Sequence, residues 1–227
     1  MQKAVFAPVL AAWLVSALGA PAALYYTSGT LNTVIPDANP AGISSTLDLG
    51  VIGPIQDVSL TFTVTGGANG DLSAYLSHDG ILVPLLNRVG TATGNPVQSV
   101  FGFATAGFNN VTLADSGSGG SIHNAAIPGS LPSISYTPDG GSLASLNGRT
   151  GNGSWTIFFA DMASGGGDSP STLVNWSLEV TAVPEPVSTA LAAFGGLCGL
   201  VLITRARPVR RRVHRWHVAF VRWVDAV

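Results

Sequence analysis

Residues 58–64, Val-Ser-Leu-Thr-Phe-Thr-Val, alternate apolar and hydroxyl side chains without a break. Successive side chains of a strand point to opposite faces. Val58, Leu60, Phe62 and Val64 therefore share one face, and Ser59, Thr61 and Thr63 the other. The period returns at 174–180, where Val174, Trp176, Leu178 and Val180 alternate with Asn175, Ser177 and Glu179. A helix would scatter either set around its axis, so both segments read as half-buried strands. Trp155-Thr156-Ile157-Phe158-Phe159 is denser in aromatic and β-branched residues and reads as a strand buried on both faces. Segments 72–76 and 81–86 flank Ser77-His78-Asp79-Gly80, a hairpin turn with His78 as a solvated turn residue. No window holds a helical period. Gly66-Gly67, Gly119-Gly120, Gly140-Gly141 and Gly165-Gly166-Gly167 punctuate the strands. Short strands between Gly-rich turns predict an all-β domain, an antiparallel sandwich or barrel.

Charge divides the chain. Only 10% of the 227 residues are charged, against about a quarter in a typical soluble domain. Residues 23–182 hold Arg88 and Arg149 against nine Asp and Glu179, a net charge of −8. Seven of the remaining bases are arginines between Arg205 and Arg222. At the other end Lys3 precedes an apolar run to Leu18 and the small-residue pattern Ala20-Pro21-Ala22. That order predicts a secretory signal over 1–22, cleaved after Ala22, with an uncleaved anchor as the alternative. Residues 187–203 are uncharged and 17 long, the lower limit for a membrane-spanning helix. The arginines that follow place 204–227 on the cytoplasmic side and the acidic body outside. The expected organisation is a signal peptide (1–22), a β-sandwich (23–182), a linker motif (183–186), a transmembrane helix (187–203) and a basic tail (204–227).

The body has no cysteine, because Cys198 falls in the apolar span. No disulfide can form within the chain. There is no G-x-S-x-G elbow and no H-E-x-x-H, and the body's two histidines, His78 and His123, have no partner in the spacing. An acidic body without a Walker loop is the wrong sign for nucleic acid. Nine Asp with two Arg do leave carboxylates over, and calcium takes six to eight oxygen ligands. Asp37, Asp71, Asp115, Asp161 and Asp168 fall at loop positions and are the candidate calcium ligands. The competing reading has them capping turns or solvating the surface.

Two resemblances follow from particular residues. Val183-Pro184-Glu185-Pro186, then the apolar span and the arginine cluster, resembles a PEP-CTERM sorting signal of exported Gram-negative proteins. The sorting motif is Pro184, Glu185 and Pro186. The resemblance implies an exosortase-like processing enzyme as a partner and transient anchoring in the inner membrane. Proline keeps such a stretch extended, which suits a processing site. Residues 27–181 resemble the P domain (Homo B domain) found beside subtilisin-like proprotein convertases. The matching pieces come in order: Ile35-Pro36-Asp37, Gly70-Asp71-Leu72, Asp79-Gly80, Phe108 to Asp115, Tyr136-Thr137-Pro138, Gly153-Ser154-Trp155-Thr156-Ile157, Asp161, and Asn175-Trp176-Ser177-Leu178. The resemblance implies a β-sandwich of jelly-roll type without catalysis of its own, which in some members binds calcium. Trp155 and Trp176 are expected as core anchors.

The resulting expectation is an exported, non-enzymatic module of the cell envelope, outer surface or extracellular matrix, acting as an interaction or structural domain. The alternatives are an extracellular polysaccharide-binding module, with Tyr25, Tyr26 and Tyr75 as candidate aromatics, and an accessory domain or hydrolase associated with a subtilisin-like protease.

Overall fold

The alternating segment 58–64 lies within β4 (Ile55–Thr65), and its four apolar side chains are buried. Its hydroxyl side chains lie on the other face, half-buried. A computed structural model of the chain describes residues 21–50, 53–91, 101–125, 134–165, 169–183 and 194–201. Residues 21–184 form one compact unit, and the described residues 194–201 belong to a second.

The first unit consists of two sheets. One has the order β1 (Ala22–Thr27), β10 (Thr172–Ala182), β4, β7 (Phe108–Leu113) and β8 (Ser135–Tyr136), with β2 (Thr33–Val34) also paired to β10. The other has the order β3 (Asn39–Leu49), β9 (Gly153–Asp161), β5 (Leu72–His78) and β6 (Ile81–Asn87). Strands β1, β10, β4 and β7 in one sheet and β3, β9, β5 and β6 in the other follow the strand order of a jelly roll. Pairing is antiparallel except between β7 and β8, which run parallel.

The core forms where the apolar faces meet. Phe62 of the first sheet lies 5.5 Å from Phe159 of the second and 5.5 Å from Phe108, ring centre to ring centre. Trp176 donates its indole N–H across the sandwich to the Ser45 hydroxyl at 2.9 Å. Trp155 donates to the Gly151 carbonyl at 3.0 Å. Both indoles are fully buried, each with its one polar atom satisfied. The 155–159 run is buried on one face only. Trp155, Ile157 and Phe159 point into the core, while Thr156 and Phe158 are half-buried on the outer face. This corrects the two-faced burial expected from its density: Thr156 and Phe158 lie on the outer face of the second sheet, where they keep part of their surface exposed.

The expected hairpin forms, and tightly. Asp79 (φ 47°) and Gly80 (φ 74°) are both left-handed, as a two-residue type I′ turn requires. Both chain ends of the unit leave at one end of the first sheet, where Ala22 is the cross-strand partner of Ala182. The opposite end of β10, 11 residues long, lies about 33 Å away. There the β4–β5 and β9–β10 connections meet.

In the second unit residues 194–201 are helical. Among the described residues no helix is long and apolar enough to cross a membrane. The rest of 187–203, residues 1–20 of the expected signal, the tail from 204, the motif Pro184-Glu185-Pro186 and Asp168 lie outside the described residues.

Candidate functional site

At the end of the sandwich away from the chain termini is a cleft of about 250 Å³, lined by Asp37, Asp161, Gly67 and the 169–171 turn among others. Asp37 is exposed, on the connection between β2 and β3. Asp161 ends β9 and is 3% exposed. It accepts the Ala163 N–H at 3.3 Å and the Ala38 N–H. Asp71 sits in the single turn before β5, 6% exposed, and its carbonyl accepts the Met162 N–H at 2.8 Å. Leu72 and Asp161 are cross-strand partners, which brings the two acids to one sheet end.

The electrostatics of this end are unfavourable to ionised carboxylates. Burial raises the pKa of Asp161 above the ordinary value of 3.8, and the charge of Asp37 raises it further; the two backbone N–H groups and Arg88 pull the other way. Burial likewise raises Asp71, followed by the charge of Asp161, with Arg88 opposing. The Arg88 guanidinium stands 3.9 Å from the Asp71 carboxylate, a loose ion pair. Among the described residues, two buried side-chain polar atoms have no hydrogen-bond partner: the Ser171 hydroxyl and the Asn69 side-chain oxygen. Ser171 is 1% exposed and lines the cleft. Gly67 (φ +62°) is required there, since a β-carbon would overlap the Ser171 hydroxyl.

Of the five candidate calcium ligands, the fold therefore gathers Asp37, Asp71 and Asp161. Asp115 stands apart, beyond the other end of β7. Its carboxylate accepts the Ser142 hydroxyl at 2.8 Å and the N–H groups of Leu143 at 3.0 Å and Ala144 at 2.6 Å. It caps the 143–146 turn, and both its oxygens are engaged. Among the described residues no three acidic, His or Cys side chains stand at metal-binding spacing. Ser171 and Asn69 were not candidates in the sequence, because nothing local marks a Ser or Asn as losing its partners on burial.

Both histidines of the body differ from expectation. His78 is 3% exposed, not solvated. Its side chain turns inward at the end of β5 and stacks on Trp155, ring centroids 3.8 Å apart. Its ring nitrogens face the carbonyls of Ser154 (3.1 Å) and Thr150 (2.7 Å). His123 does have a partner, the Asp139 carboxylate, 2.7 Å from Nδ1. Its Nε2 faces the Thr91 carbonyl at 2.9 Å. A His–Asp pair resembles half of a hydrolytic triad, but the nitrogen that would serve a nucleophile is already held by the backbone. The two arginines are also committed, Arg88 to Asp71 and Arg149 to Asp79 at 3.2 Å.

Among solved structures the chain is similar to the serine protease of Aeromonas sobria in complex with its chaperone ORF2. Identity is 15% over 73% of this chain and 28% of that chain, with a TM-score of 0.48. It is similar to the serine protease of Aeromonas sobria alone at 14% identity, over 72% and 27% of the two chains, with a TM-score of 0.46. A third likeness is to the VP2 subviral particle of infectious bursal disease virus, at 17% identity over 72% and 33%, with a TM-score of 0.32. The chain spans a third or less of the length of each. No protein-family model matches the sequence, and no curated protein matches it.

Proposed function

We propose that this chain is an exported, non-catalytic β-sandwich module that binds calcium at the end of the sandwich away from both chain termini and acts there as an interaction domain. One observation carries the reading. Asp37 and Asp161 line a single cleft with a buried Ser171 hydroxyl that has no hydrogen-bond partner among the described residues, and burial disfavours the ionised form of Asp161. A divalent cation would answer both deficits. Calcium fits best, because it takes carboxylate, hydroxyl, carbonyl and water oxygens in flexible geometry. Asp37, Asp161 and Ser171 would hold it, and water or backbone oxygens would complete the shell. Bound there, the ion supplies positive charge that ties the 37–38 connection to the end of β9. The measurement is the melting temperature of residues 21–184 with calcium and with chelator; an unchanged temperature rejects the site.

The envelope address rests on Pro184-Glu185-Pro186, which begins two residues after β10 ends at Ala182. Processing there by an exosortase-like enzyme would release the sandwich without cutting a strand. The apolar 187–203 segment would hold the precursor in the inner membrane until then. Alanine at all three motif positions should leave the full-length chain in the membrane fraction; an unchanged distribution and size would reject the signal.

A narrower version makes the module an accessory to a subtilisin-like protease. Its support is the ordered P-domain resemblance over 27–181 ending in Trp176. Co-purification with a protease from the native host tests it, and a chain that purifies alone from both membrane and medium counts against it.

A further inference from the structure

The outer face of the second sheet carries two side-chain rows that cross all four strands. One is Ser44, Phe158, Tyr75 and Pro84; the next is Thr46, Thr156, Ser77 and Leu82. Neither row contains a charge. The Tyr75 and Phe158 rings lie side by side, centroids 6.4 Å apart and tilted by 42°, each half-buried in the face. The hydroxyls of Thr46 and Thr156 are bonded to each other at 2.8 Å, and each oxygen retains further hydrogen-bonding capacity. Ser44 and Thr46 are exposed, and Leu82 is 61% exposed.

We infer that this face binds a neutral polysaccharide chain. The apolar C–H faces of pyranose rings would stack on Phe158 and Tyr75, and the sugar hydroxyls would exchange hydrogen bonds with Ser44, Thr46, Thr156 and Ser77. The charge of the domain selects the class of ligand. Residues 23–182 carry a net charge of −8, and their two arginines are paired with Asp71 and Asp79. An anionic glycan or a phosphate-bearing surface would be repelled, and no base on these rows would hold it. A protein partner is the poorer match. Protein interfaces concentrate their energy in buried Trp, Tyr and Arg anchors, whereas these rows offer two half-sunk rings among hydroxyls and no Trp, Met or Arg. Two ring faces among four hydroxyl side chains match a ligand that itself presents both C–H and O–H groups. The inference does not depend on the cation cleft, which lies at the end of the sheets and not on this face.

The full chain, solubilised in a polyoxyethylene detergent, should be run through native gels cast with hydroxyethyl cellulose, dextran or alginate, each in calcium and in chelator. Retardation by at least one of the two neutral polymers, in both ionic conditions, and none by alginate is the expected result. The double substitution Tyr75→Ser with Phe158→Ser should abolish it. Thr156→Val keeps the size and removes one hydroxyl. It should weaken binding about tenfold, the equivalent of one hydrogen bond, and it decides the matter if the double variant does not fold. Absence of retardation by both neutral polymers, retardation by alginate alone, or unchanged retardation in the variants would overturn the inference. Loss of a calcium response with glycan binding intact would remove the cation cleft alone.

Discussion

His78 lies flat against Trp155, ring planes 8° from parallel, and closes the end of the β5–β9 pair from inside the sandwich. The stack and the two carbonyl contacts of the imidazole do different work. Replacing His78 with Phe keeps an aromatic ring on the indole and removes the ring nitrogens that face the Ser154 and Thr150 carbonyls. A stability loss of about 1 kcal/mol is expected, the net worth of one hydrogen bond. Urea unfolding checks it; an unchanged midpoint would show that the stack alone fixes the hairpin end.

The contrast with β4 shows what the sequence makes legible. Val58 to Val64 alternate over seven residues, so the buried face can be read without knowing what covers it. The same holds for 174–180 in β10, and Asp79-Gly80 fixes its turn by backbone conformation alone. His78 could not be placed this way. It is one residue from that turn, and its burial depends on Trp155, 77 positions away. The His123–Asp139 pair and the Ser171 cleft have the same origin. They arise where distant loops converge, and no local period or spacing records that convergence. For Asp115 the structure favours the turn-capping alternative over the calcium ligand, and the sequence does not show which turn it caps, because its three donors begin at Ser142.

Trp176 and Ser45 form the one indole-to-hydroxyl bridge between the sheets found among the described residues. Ser45→Ala should cost about 1 kcal/mol. Trp176→Phe should cost more, since it also opens a cavity in a close-packed core. Because the residues touch, the double variant should cost less than the sum, and a double-mutant cycle reads that coupling. Strict additivity would mean the bond contributes nothing.

Asp115 serves the 143–146 turn as an N-terminal cap. Asp115→Ala should lower stability by about 1–2 kcal/mol through loss of that cap. The response to calcium should stay as in the parent chain, since the carboxylate is remote from the cleft. A lost calcium response in this variant would place a cation at the cap.

The raised pKa values of Asp71 and Asp161 have a definite sign. Between 3.8 and the raised values, the folded chain binds more protons at these sites than the unfolded chain. Their contribution to stability is therefore fully present below pH 3.8 and declines as pH rises through that window. In chelator at neutral pH, Asp161→Asn should melt higher than the parent, by about 2–4 °C for each kcal/mol of burial cost relieved. A lower melting temperature would mean that the hydrogen bonds from Ala163 and Ala38 outweigh the burial.

Gly67→Ala tests the cleft without altering charge. A β-carbon there both strains a left-handed backbone and overlaps the Ser171 hydroxyl. A loss above about 1 kcal/mol is expected, together with a weaker calcium response. A full response at reduced stability would separate Ser171 from the site.

The most direct measurement is thermal unfolding of residues 21–184 across a calcium series, against chelator, for the parent chain and for Asp37→Asn with Asp161→Asn. A ligand of the folded state raises the melting temperature with its concentration. A rise that grows with calcium in the parent, and is absent in the double variant, is the predicted result. An identical melting temperature in calcium and in chelator, with cooperative unfolding in both, would contradict it.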